Sequence, residues 1–163
     1  GLEYRPVNLP RRGEIVAWML AIVAIAAWVI LARFGEPIFI GLKILAIIFA
    51  LSAPAISLGN WTDRKTRLIL KKNGVFFENG LRRVSLNWGE IRKIEVIPTS
   101  WGSKVRLFAD SGHLGFWTLG EVRLQGELKG RMGFVKGEEI LHHILSETGL
   151  KEIPSLKQNR YYS

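Results

Sequence analysis

The chain has 163 residues, with 23 Lys and Arg against 14 Asp and Glu, a formal net charge of +9 and no cysteine. The missing cysteine excludes a disulfide framework, a thiolate nucleophile and a cysteine-based zinc site. Hydrophobic residues make up 48% of a chain that is also 23% charged, so the apolar residues must be concentrated in one part of it.

They are concentrated near the start. The stretch Ile15–Leu31 runs for 17 residues without a charge or a strongly polar group. A second run of 21 residues, Ile38–Leu58, is interrupted only by Lys43, Ser52, Pro54 and Ser57. Crossing a hydrocarbon core roughly 30 Å thick takes about 20 helical residues, and backbone in lipid must satisfy its own hydrogen bonds. The pattern therefore predicts a segment 1–14, then a transmembrane hairpin over 15–58 with helices at about 15–34 and 38–58. Gly35 and Pro37 form the turn between them. A cleaved signal peptide, with Arg11 and Arg12 as its basic start, is the competing reading, but its apolar core is normally shorter and no second span follows it.

Arg11 and Arg12 precede the first span, and Arg64, Lys65 and Arg67 follow the second, whereas the turn carries only Arg33 with Glu36. The positive-inside rule then places both termini in the cytoplasm, with Trp18 and Trp61 near that interface. Lys43 is expected to snorkel from the opposite end. Ala17/Ala21, Ala46/Ala50 and Ala53/Ser57 are small-residue pairs that permit close helix packing.

From residue 61 the period changes. TRLILKK (66–72), VFFE (75–78) and LRRVSL (81–86) are separated by Asn73-Gly74 and Asn79-Gly80, the strongest short hairpin signal because both residues tolerate positive φ. IRKIEVI (91–97), ended by Pro98, SKVRLFA (103–109), HLGFWTL (113–119) and EVRLQGEL (121–128) continue the pattern. The spacing predicts six or seven antiparallel strands in a sandwich or barrel over 61–150. In KGEEILHHILSETGL, Ile140, Leu141, Ile144 and Leu145 recur at helical spacing, with Gly149 as the C-cap. That helix is expected to cover an open end of the strands, followed by a tail, 151–163, that is expected to be mobile after Pro154.

The stretches VSLNWGEIRKIEV (84–96) and GRMGFVKGEEILHHIL (130–145) resemble bacterial pleckstrin-homology-like (PH-like) membrane proteins. These commonly carry two transmembrane helices followed by a small β-sandwich with one C-terminal helix, and the resemblance implies that fold over roughly residues 15–150. The element order and DRKTRL (63–68) also resemble the photosystem I assembly factors of cyanobacteria and plastids.

Catalytic patterns are poor. His142 and His143 point about 100° apart on a helix and cannot share a metal. Glu138/His142 and Glu139/His143 are i, i+4 pairs, which read as an exposed helix face. Asp110, Ser111 and His113 are turn residues, and GSK (102–104) lacks the rest of a phosphate-binding loop. No enzyme activity, cofactor or metal is expected.

Binding is better supported. Arg64, Lys65 and Arg67 lie just past the second span, where anionic lipid attracts each basic residue by about 1 kcal/mol. Arg82 and Arg83 follow a turn and are candidates to project from the rim, and Trp101 is the candidate exposed anchor. The expected role is interaction with a protein partner or a membrane complex in the cell or thylakoid membrane. The alternative is an anionic phospholipid-headgroup module at the cytoplasmic face. Nucleic acid suits the net charge, but interspersed acids and the lack of a known motif make it a distant third.

Overall fold

A computed structural model of the chain describes residues 1–7, 11–155 and 157–163. It divides into two compact units, Pro10–Thr62 and a domain formed by Gly1–Leu9 together with Asp63–Ser163.

The first unit is a pair of helices, α1 (Arg12–Arg33) and α2 (Ile40–Lys65). Both are long and apolar enough to cross a membrane. The second helix continues seven residues beyond the apolar run, because the polar sequence after Leu58 keeps the helical conformation. At the end of α1 the chain reverses through Gly35 at φ +68°. There Gly35 N–H donates to Ala32 O and Glu36 N–H to Leu31 O, the two bonds of a Schellman cap. The buried positions are Ala21 and Ala24 on α1 and Ala46, Ala53 and Asn60 on α2. The large aliphatics Ile22, Val23, Ile47 and Leu51 all lie exposed.

The domain is built of antiparallel sheets. One has the order β1 (Leu2–Tyr4), β2 (Arg67–Leu70), β3 (Gly74–Glu78), β4 (Arg83–Asn87). The other contains β5 (Ile91–Thr99), β6 (Gly102–Ala109) and β7 (Gly112–Trp117) in that order. A ribbon of β8 (Gly120–Leu124) and β9 (Glu127–Met132) leads to α3 (Gly137–Thr148). Finally β10 (Glu152–Ile153) and β11 (Arg160–Tyr162) extend the second sheet, β11 pairing with β5.

Alternation assigns the faces. Leu68, Leu70, Val75 and Leu86 of the first sheet meet Ile94, Val96, Val105, Leu107, Leu114 and Phe116 of the second in one core. Ile140, Leu141 and Ile144 of α3 are fully or almost fully buried in the same core, so the helix covers the strands as its spacing predicts. Gly149 sits at φ 66° and its N–H donates to Leu145 O, the expected left-handed cap. Trp88, in a short 3-10 turn, is pinned by backbone on two sides: its Nε1 donates to Lys72 O and its N–H to Asn73 O.

Several expectations are corrected. Among the described residues eight strands form within 61–150, where six or seven were expected, and three more lie outside it. The segment before α1 contributes β1, whose Leu2 pairs with Leu70. The tail, apart from Leu156, which lies outside the described residues, is a sheet partner rather than a mobile end: Tyr161 pairs with Glu95. Pro98 does not end its strand but pairs with Ser103, which is tolerated because the β11 pairing has already stopped at Val96. The stretch 121–128 is two strands, joined by Gln125 and Gly126, both at positive φ. At Asn73-Gly74 neither φ is positive. Gly74 is needed there for another reason, since a Cβ would stand 2.0 Å from Leu86 O.

Candidate functional site

Arg64 and Lys65 end α2, Arg67 opens β2, and the structure brings all three around a surface concavity of about 290 Å³ that Arg5 and Glu78 also line. Cross-strand register places Glu78 between Arg67 and Arg83. Arg67 Nη2 lies 2.8 Å from Glu78 Oε2 and Arg83 Nε 2.7 Å from Oε1. The hydrogen bond from Arg67, supported by Arg83, holds the Glu78 carboxyl below its usual range. Two of the expected binding arginines are thus engaged with one carboxylate. Arg82 does not join Arg83: its guanidinium donates to His113 O, tying the β3–β4 loop to β7.

Trp101 lies in the β5–β6 turn and is 49% exposed. The turn is held from below. Thr99 Oγ1 accepts from Trp101 N–H and donates to Gly102 O, and Gly102 adopts φ +102°. The Trp101 carbonyl packs so tightly on Gly120 that a Cβ there would stand 1.7 Å away. Gly120 pairs with Met132, so the turn sits at the base of the β8–β9 ribbon. Met132, Leu124 and nearby Val135 are exposed apolar side chains. Thr118 is the buried post of this region, its Oγ1 accepting from Ser103 N–H at 2.9 Å.

The groups examined for catalysis turn to separate partners. Asp110 pairs with Arg92, Ser111 donates to Glu90, and His113 stacks on Phe108. His142 is exposed; His143 packs beside Trp88 and faces Glu147 at 3.9 Å, not Glu139. Among the described residues, no three His, Asp or Glu side chains gather as a metal site would require.

Two features escape a reading of the sequence. In the hairpin, Glu14 accepts from Ser57 Oγ at 2.7 Å and from Asn60 Nδ2 at 3.1 Å, while Trp18 Nε1 donates to the same Ser57 Oγ. The signal was the i, i+3 pair Ser57 and Asn60 on one face of α2, legible only once Glu14 is known to oppose it. In the domain, the outer face of β5–β6–β7 interleaves cations and rings. Lys93 lies over Tyr161 at 5.0 Å and Lys104 over Trp117 at 5.5 Å. That pattern needed the strand register to become visible.

No family model, curated protein or solved structure matches this chain.

Proposed function

We propose that the chain is a non-enzymatic membrane protein whose PH-like domain docks a protein partner or a membrane complex and serves its assembly or regulation. The observation that carries this reading is the set of exposed apolar side chains on the β5–β6 turn and the β8–β9 ribbon: Trp101 and Met132 by the ribbon's base, Leu124 at its tip and Val135 just after it. Exposed apolar groups beside a braced turn are the kind of surface that a protein partner covers. Two antiparallel sheets sharing a core with a C-terminal helix support the PH-like reading.

The hairpin supports membrane location, in a cell or thylakoid membrane. Basic residues flank its two outer ends, and β1, which precedes α1, pairs with β2, which follows α2. Strands on opposite sides of a bilayer cannot pair, so a spanning hairpin leaves both its ends on one side, the cytoplasmic one by the charge rule. Reporters at both termini are expected to read cytoplasmic and a label at Gly35 to react only from outside. A C-terminus on the far side would overturn the topology. For the docking end, a photo-crosslinker at Trp101 or Leu124 in intact membranes is expected to give a discrete adduct, and one at Lys72 none. Equal labelling from all three positions would overturn the docking reading.

A second reading, an anionic phospholipid-headgroup module, is favoured by the concavity of Arg5, Arg64, Lys65 and Arg67. It is tested by reconstituting the full chain with and without phosphatidylglycerol. Protection of Arg64 and Lys65 from proteolysis by the anionic lipid, surviving 0.15 M salt where the Debye length is about 8 Å, supports it.

A further inference from the structure

The outer face of β5–β6–β7 is a different surface from the apolar end, and its chemistry points to a small anion with a ring. Register places three pairs side by side on it: Lys104 with Trp117, Arg106 with Gly115 and Phe108 with His113. The middle pair has a side chain on one strand only. The gap at Gly115 opens a groove of about 480 Å³ between its neighbours. His113 and Trp117 stand four residues apart on one face of a strand, roughly 13 Å at the usual rise. That spacing leaves room for a planar ring alongside either of two aromatic side chains. One wall is His113 stacked on Phe108, with centroids 6.5 Å apart and planes 26° apart. The other is Trp117 beside Lys104.

Arg67, Arg83, Arg92 and Arg123 are each held by a carboxylate. Lys93, Lys104 and Arg106 have no such ion pair among the described residues, and Arg106 is exposed beside the glycine gap. Glu95, cross-strand from Arg106, is the acid that shares the face. A guanidinium presents a fork of donors that matches a phosphate. Aromatic walls around a basic groove accept a nucleobase by stacking. An inorganic anion would use the cations and leave the walls idle.

We propose that the Gly115 groove binds a nucleotide, its base stacked on Trp117 or His113 and its phosphate on Arg106 and Lys104. The nucleotide can be free in solution or part of a single strand. The full-length protein in detergent is titrated with adenosine 5′-monophosphate, a deoxythymidine decamer, inorganic phosphate and dihexanoyl phosphatidylglycerol. Stacking of one base predicts that the monophosphate or the decamer binds about tenfold or more tighter than inorganic phosphate. Saturable monophosphate binding assigns a free nucleotide; binding by the decamer alone assigns a strand. Arg106→Gln, Gly115→Leu and Trp117→Leu should each weaken that binding by about tenfold, with melting midpoints showing that the variants remain folded. Trp117→Leu, at an exposed site, carries the test if Gly115→Leu unfolds. The proposal is overturned if inorganic phosphate binds as tightly as the nucleotides, if the short-chain lipid binds and the nucleotides do not, or if the folded groove variants bind like the parent. None of these results bears on the crosslinking test of the apolar end.

Discussion

The hairpin and the domain distribute the same residue types in opposite ways. In the domain, Leu68, Ile94, Leu107 and Ile144 are wholly buried and the charges lie outside. In the hairpin, Ala46 and Ala53 are buried while Ile47, Ile48 and Leu51 face outward, and polar Asn60 is inside. Burial in the hairpin does not follow polarity: small alanines and a polar Asn are inside and the large aliphatics outside, as suits helices whose surroundings are apolar. In the domain, escape from water decides it.

The largest effect should fall on the domain core. Truncating a packed Leu or Ile to Ala costs about 2–5 kcal/mol, against a total of roughly 5–15 kcal/mol for a domain. Leu141→Ala with Ile144→Ala should therefore abolish the domain's cooperative melting in the full-length protein. His142→Ala with His143→Ala should leave it folded. If the histidine pair proved the more damaging, α3 would not be a cap.

The hairpin should respond to the opposite change. Ala53→Leu adds volume where there is none and should destabilise helix pairing by about 1–3 kcal/mol, whereas Leu51→Ala, on the outer side, should cost far less. Melting of the two variants in detergent separates them, and equal midpoints would deny that size governs this interface. A smaller loss is expected from Glu14→Ala, which leaves Ser57 and Asn60 without their acceptor. Polar contacts of this kind between helices in lipid are worth roughly 0.6–1.7 kcal/mol.

The subtlest difference concerns pH. Glu78 titrates below its ordinary value because Arg67 and Arg83 hold the charged form. A depressed carboxyl contributes stability that is present above its unfolded value and is lost as pH falls through the folded one. The parent's melting midpoint should decline as pH drops below about 4.5, the ordinary glutamate value. Glu78→Gln should show a shallower decline over that window. Identical acid limbs would mean that the Arg67–Glu78–Arg83 row contributes nothing.

What could be read in the sequence follows from how local each signal is. The two apolar runs lie within α1 and α2 except for Ile38 and Phe39, and the helical spacing of Ile140, Leu141 and Ile144 identified the capping helix. Both are patterns within one element. The strands β1 and β11 were missed because two or three residues have no period of their own; they are strands only by virtue of Leu70 and Glu95 opposite them. Among site residues, Arg64, Lys65 and Arg67 gather as chain proximity suggests, while Arg82 and Arg83 part because adjacent strand and loop positions point apart. The alternations Lys104, Arg106, Phe108 and His113, Gly115, Trp117 were each present in the sequence. Only register sets the glycine opposite the arginine.

The pairing of Leu2 with Leu70 also fixes an order of events. The strand β1 is synthesised first, yet its partner follows only after both helices have been made. Until then β1 has no strand to pair with, and long-range closure of this kind is intrinsically slow. Maturation of the domain is thereby coupled to completion of the hairpin: a chain stalled between α1 and α2 has its first strand and nothing to receive it.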